Sequence, residues 1–284
     1  MKYLDTHAHT NFTAYTDDLD QVIERANDAG VAITNVGTQF DTSKRGVELA
    51  EKHDNLYAII GLHPIHTTRV HHDEAELGKG NPEFTSRGET FDIDAYRELA
   101  KSSDNVVGIG ECGLDYYRND PDTRDAQEDA FRAQIELAIE LDLPLMLHVR
   151  PSENSMDAYY DVLEILREYK KDAGDILRGN AHFFAGDTAV ADTFLELGFD
   201  VSFTGVITFA KEYAKVIAHV PLDRMHAETD CPYVTPVPNR GKRNEPAYVV
   251  EVVKKIAEIK NMEIDEVAEQ LRANAKQLWG ISNK

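Results

Sequence analysis

Tyr3-Leu4-Asp5-Thr6-His7-Ala8-His9 is a short aliphatic and β-branched run that ends in two histidines. In an extended strand residues i and i+2 project to the same side, so the imidazoles of His7 and His9 can address one cation. A His-x-His pair alone is weak evidence, and its meaning depends on the rest of the chain. Directly after it comes a helical pattern: Leu19, Val22, Ile23, Ala26 and Ala29 recur at helical spacing, with Asp17 or Asp18 positioned to cap the start. The same rhythm continues along nearly the whole chain. Strand candidates lie at residues 3–6, 31–36, 56–60, 106–109, 145–149, 179–183, 200–203 and 225–229. Helical segments at 42–53, 94–102, 122–141, 156–170, 187–197 and 211–219 fall between them. Such alternation marks βα units and a parallel sheet, so the chain is expected to be α/β, a single TIM-type (β/α)8 barrel. Two amphipathic segments, 245–259 and 264–278, read as extra C-terminal helices packed around the outside.

The 284 residues fit one domain spanning 1–284, because barrels of about 250 residues are common single domains. With 42% hydrophobic and 29% charged residues the composition is that of an ordinary globular protein. No apolar run approaches the roughly 20 residues a spanning helix needs, and no leader precedes the first strand, so the expectation is a cytoplasmic protein without membrane contact. Two distant cysteines, Cys112 and Cys231, agree with a reducing compartment and read as small buried side chains. A formal charge of −21 argues against wrapping nucleic acid in a broad basic surface; any contact with it should be local. The connection 62–92 departs from the even rhythm. It holds Gly78, Gly80, Pro82 and Gly88 among many polar residues, as lids and insertions do.

Other ligand-type residues fall at predicted strand ends: Glu111 after the fourth, His148 near the end of the fifth, His182 in the sixth and Asp230 after the eighth. In a parallel barrel these ends converge on one face, where active sites sit. By contrast His53, His71, His72, His219 and His226 occupy helix ends, the long connection or isolated positions, and read as surface or structural.

Several segments carry a family resemblance. They are Leu4-Asp5-Thr6-His7-Ala8-His9, Gly61-Leu62-His63-Pro64, Gly110-Glu111-Cys112-Gly113-Leu114-Asp115-Tyr116-Tyr117, Glu228-Thr229-Asp230-Cys231-Pro232-Tyr233 and Arg240-Gly241-Lys242-Arg243-Asn244-Glu245-Pro246. In order and spacing they resemble the signatures of the TatD metal-dependent hydrolases. The resemblance implies a barrel of the amidohydrolase superfamily, two divalent metal ions (Mg, Mn or Zn) and hydrolysis of DNA phosphodiesters. Carried over by position, it implies one metal on His7, His9, Glu111 and Asp230 and the other on Glu111, His148 and His182, with Glu111 bridging. Having both N-terminal histidines, the chain resembles the general TatD-like branch. It departs from the family at His148-Val149-Arg150-Pro151, where a Ser or Thr is common, and at Phe183, where a Cys is common. Neither change removes a ligand. The stretch 67–92 is longer than the family leads one to expect.

Two cations a few ångströms apart would activate a shared water and clamp the attacking and departing oxygens of a phosphodiester. Asp230 is the candidate to orient that water and accept its proton, and His63 to contact the phosphate or the leaving oxygen. Arg240, Lys242 and Arg243 form a basic cluster suited to the substrate's phosphate, and Tyr116 and Tyr117 either stack on bases or pack against the barrel rim. The expected partner is DNA, single-stranded or at strand ends, digested exonucleolytically by a monomer. An aminoacyl-tRNA deacylase or other ester or amide hydrolase on the same site is the competing enzyme. A non-catalytic metal-binding scaffold is the competing reading of another class.

Overall fold

A computed structural model describes residues 1–72, 84–117 and 123–281. Eight parallel strands run in the order β1 (Tyr3–Ala8), β2 (Val31–Val36), β3 (Leu56–Ile60), β6 (Val106–Asp115), β7 (Leu145–Arg150), β8 (Gly179–Ala181), β9 (Phe199–Phe203) and β10 (Met225–Ala227). The barrel closes where Ala8 bridges Cys231, with the His9 N–H donating to the Cys231 carbonyl at 2.9 Å and the Asp230 N–H to the His7 carbonyl at 2.9 Å. Around the sheet lie α1 (Leu19–Asp28), α2 (Phe40–Lys52), α3 (Ile93–Lys101), α4 (Arg124–Leu141), α5 (Asp157–Ala173), α6 (Thr188–Glu196), α7 (Ala214–His219), α8 (Val249–Lys260) and α9 (Ile264–Trp279). This is the TIM-barrel architecture that the alternation predicts.

The strands alternate faces, and the alternation sorts the core into two bodies. Outward residues such as Val31, Ile33, Leu56, Ala58, Leu145 and Leu147 pack against helix residues including Val22, Ile23, Phe131, Ile135 and Leu166. Inward residues Leu4, Ala32, Tyr57, Ile59, Val107 and Met146 form a separate cluster with Leu278 and Trp279 of α9. Each fully buried side chain of this kind stabilises the fold by roughly 1.5–3 kcal/mol. The last helix therefore does more than pack around the outside: it plugs the floor and leaves the opposite, C-terminal mouth for chemistry.

Other differences from the sequence expectation cluster at that mouth. β6 runs on to Asp115 instead of ending at Ile109, because its pairing with β7 is bulged between Gly110 and Cys112. Gly110 (φ +140°) and Gly113 (φ +139°) make this possible; a Cβ on either would meet a β7 carbonyl oxygen at 2.3 or 2.1 Å. β8 stops at Ala181 because Phe183 turns to φ 46°, and β10 stops before Glu228. The described residues of the long connection include a 3-10 turn at Pro64–His66 and a small antiparallel pair of β4 (His71–His72) and β5 (Phe84–Thr85). Gly78, Gly80 and Pro82 lie outside the described residues, as does the predicted helix start at Asp122. Asp18 stands at the start of α1 without a side-chain capping bond; its carboxylate is taken by Arg243 at 2.6 Å and Arg25 at 3.8 Å.

Candidate metal centre

β1 ends with His7 and His9, the β6 bulge re-aims Glu111, and β7 supplies His148 from the same face as Met146. His63 follows β3, His182 follows β8, and Glu228 and Asp230 follow β10. All of these except the partly buried His148 are buried. Glu111 is the hub. Its Oε2 faces His7 Nε2 at 3.3 Å and His9 Nε2 at 3.9 Å, while Oε1 faces His148 Nδ1 at 2.9 Å, His182 Nε2 at 3.2 Å and His63 Nε2 at 3.3 Å. Asp230 Oδ1 lies 3.3 Å from His9 Nε2 and 3.8 Å from His7 Nε2. The structure thus brings His7, His9, His63, Glu111, His148, His182 and Asp230 into one cluster.

Each of three imidazoles turns one ring nitrogen outward to an acceptor. His9 Nδ1 donates to the Val36 carbonyl at 2.9 Å, His148 Nε2 to Asp115 Oδ2 at 2.9 Å, and His182 Nδ1 to Glu228 Oε1 at 3.0 Å. When neutral, each then turns a bare lone pair towards a carboxylate oxygen, an arrangement that is repulsive unless a proton or a cation lies among them. His63 is the reverse: its Nδ1 accepts from the Ile65 N–H at 3.2 Å, so its Nε2 is the donor to Glu111. Inward lone pairs flanked by carboxylates are the donor set a divalent cation takes. His63 stands among them as a hydrogen-bond donor.

The electrostatics reflect this crowding. Burial pushes the Glu111 carboxyl up, but His63, His182 and His7 outweigh it and hold it well below the usual range. Burial opposes charge on His182, yet Glu228 and Glu111 raise it well above the ordinary imidazole value; Asp115 and Glu111 raise His148 against the same penalty. His7 is lowered by burial and by His182, and His63 falls to about 4 through burial and His148. Asp230 is held low by His9 and its neighbours despite its burial.

Asp115 and Glu228 are the functional positions that sequence reasoning missed. Both lie inside the family-like segments, and Glu228 stands two residues before Asp230, a spacing that could have flagged it. Glu228 also accepts from Ser202 Oγ and the Phe183 N–H, each at 2.7 Å. Asp5, fully buried and pushed well above the carboxylate range by that burial, accepts from the Thr229 N–H at 2.9 Å and Thr229 Oγ1 at 2.6 Å, tying β1 to the segment that carries Asp230.

The basic cluster divides. Arg243 is committed to Asp18 and the Ala14 carbonyl and lies over the Tyr15 ring, Arg240 stacks on Phe209, and Lys242 is exposed. Tyr116 is buried beneath Arg124, as rim packing requires, whereas Tyr117 is exposed. His219 pairs with Asp192 at 2.6 Å and buried His226 with Asp200 at 3.0 Å; neither these nor His53 and His71 join the cluster, and the side chain of His72 lies outside the described residues.

A parallel barrel whose strand ends gather imidazoles around a carboxylate hub is the frame of a metal-dependent hydrolase, and comparison with known proteins gives that class a family. The model of the TatD related DNase family matches residues 4–280. An uncharacterized metal-dependent hydrolase, YabD of Bacillus subtilis, is 40% identical over 98% of this chain and 99% of its own length. The 3'-5' ssDNA/RNA exonuclease TatD of Erwinia amylovora is 31% identical, covering 95% of this chain and 96% of that protein. The crystal structure of YJJV, a TatD homolog from Escherichia coli, superposes with a TM-score of 0.80 at 26% identity, covering 99% of both chains. The chain belongs to the TatD family of metal-dependent hydrolases.

Proposed function

We propose that this hydrolase cleaves phosphodiester bonds of DNA, attacking single strands or strand ends exonucleolytically, with two divalent cations (Mg, Mn or Zn). One cation would be held by His7, His9, Glu111 and Asp230, the other by Glu111, His148 and His182. The observation that carries this reading is the division of Glu111, whose two oxygens face separate groups of imidazole nitrogens. When bound, the pair would supply an activated water and neutralise charge on the phosphate.

The protein's own residues do the rest. Asp230, held anionic beside His9, orients the attacking water and accepts its proton. His63, neutral with its donor on Nε2, turns that N–H from Glu111 to the phosphate or the leaving oxygen. Arg240 and Lys242 seat the substrate's phosphates, with Arg243, anchored on Asp18, fixing their loop. The free, buried thiols of Cys112 and Cys231 support a cytoplasmic location, and the enzyme acts as a monomer. No helix among the described residues is long and apolar enough to cross a membrane.

The test is incubation of end-labelled single- and double-stranded DNA with Mg²⁺, Mn²⁺ or Zn²⁺, using wild type, His7→Ala and Asp230→Asn. Metal-dependent cutting confined to wild type supports the reading. Equal cutting by all three proteins, or cleavage of aminoacyl-tRNA in place of DNA, refutes it.

A further inference from the structure

Arginine–aromatic stacks recur in this molecule, and two of them differ from the rest. Arg124 over Tyr116, Arg132 over Tyr169 and Arg243 over Tyr15 each have the guanidinium neutralised by a carboxylate, Asp157 at 3.4 Å, Glu168 at 2.7 Å and Asp18 at 2.6 Å. Their rings are buried or half-buried. Arg150 lies 3.7 Å from the Tyr117 ring and Arg240 4.1 Å from the Phe209 ring, and neither has an ion-pair partner among the described residues. Arg240 also donates from Nη1 to the Thr235 carbonyl at 3.0 Å, which holds the guanidinium in place without neutralising its charge. The rings of both stacks are open, Tyr117 at 41% and Phe209 at 44% exposure.

Both stacks stand at the mouth. Tyr117 follows β6 and Arg150 ends β7; Phe209 follows β9 and Arg240 belongs to the loop after β10. The two aromatic positions are three strands apart, about 15 Å along the barrel wall at normal strand spacing, with His182 in the interval. Arg150 stands two residues beyond His148 on the same strand. A partly exposed ring stacked on a cation that no described carboxylate neutralises offers a base a stacking surface and the adjoining phosphate a charge.

We infer that Tyr117/Arg150 and Phe209/Arg240 are two nucleobase platforms that hold unpaired bases on either side of the scissile phosphate. The inference rests on the phosphodiesterase reading and narrows its substrate to a strand whose bases are free to stack. Paired bases in a duplex cannot reach either ring.

The experiment measures binding by fluorescence anisotropy, with Mn²⁺ present. It compares a labelled single-stranded oligothymidylate carrying phosphorothioate linkages with an abasic strand of equal length and with the duplex. The expected result is that wild type binds the base-bearing strand about tenfold more tightly than the abasic one. Tyr117→Ala and Phe209→Ala each erode that preference, Tyr117→Phe retains it, and the variants melt with wild type. Equal affinity for both strands, undetectable binding, or a preference that survives both alanine substitutions overturns the inference. Metal-dependent turnover of methyl p-nitrophenyl phosphate by wild type, a substrate with no nucleobase, separately tests the phosphodiesterase reading. Turnover without base preference leaves that reading standing and removes the platforms; base preference without turnover of ester or DNA does the opposite.

Discussion

The two sides of the Glu111 cluster are built differently. On the β1 side His9 is oriented by a backbone carbonyl, that of Val36, with Asp230 beside its inward nitrogen. On the β7–β8 side each imidazole is backed by a carboxylate of its own, Asp115 behind His148 and Glu228 behind His182. A carbonyl fixes a ring's orientation, whereas a carboxylate also makes the inward nitrogen more basic. One half therefore has an imidazole fixed by a backbone carbonyl, and the other has imidazoles made more basic by carboxylates.

Replacing the shared member should have the largest effect. Glu111→Gln is expected to lose about 10³-fold or more in turnover and to lower metal content on both sides, checked by ester hydrolysis and elemental analysis. His63→Ala should separate the donor from the ligands: turnover falls about 10²-fold while metal content stays that of wild type, and a protein with one metal missing would contradict the tautomer assignment. Asp115→Ala and Glu228→Gln should weaken metal binding by roughly 10- to 100-fold on the β7–β8 side alone, read by competition with a chelating dye. Loss from both sites in equal measure would erase the distinction between the two halves.

A smaller effect comes from pH. His148 and His182 are raised by their carboxylate neighbours, so a cation competes with protons for their nitrogens. Metal affinity should rise severalfold from pH 6 to pH 8, with proton release visible as buffer-dependent heats in calorimetry. In chelated protein the stability these raised imidazoles contribute is complete below about pH 6.5 and is lost as pH rises through their folded values. Glu111, being depressed, contributes above about pH 4.3 and fades as pH falls through its folded value. Melting of the chelated protein should therefore fall from pH 7 towards pH 9, while the depressed His7 and His63 cost stability as pH drops below about 6.5.

The barrel was legible because strand and helix periods are local, and the clustered histidine and carboxylate positions because each sits where a strand period ends. Asp115 was not legible as a partner of His148, since Gly110 and Gly113 read as the end of a strand and in fact mark a bulge that carries it onward. Glu228 was hidden beside the more conspicuous Asp230. Arg243 looked equivalent to Arg240 and Lys242, but its partner Asp18 comes from the far end of the chain, and a run of like charges says nothing about distant neighbours. The same pair explains why Asp18 does not cap α1. The role of α9 as a floor was equally out of reach, because amphipathicity reveals that a face is buried without revealing against what.

The seam between Ala8 and Cys231 joins a strand synthesised early to a segment synthesised late. While a nascent chain has emerged from the ribosome only as far as β9, β1 keeps one edge without a partner and His9 waits for Asp230. Closure of the wall and the meeting of His9 with Asp230 are thus one event, so a partly translated molecule would lack the proposed ligand set until the barrel is whole.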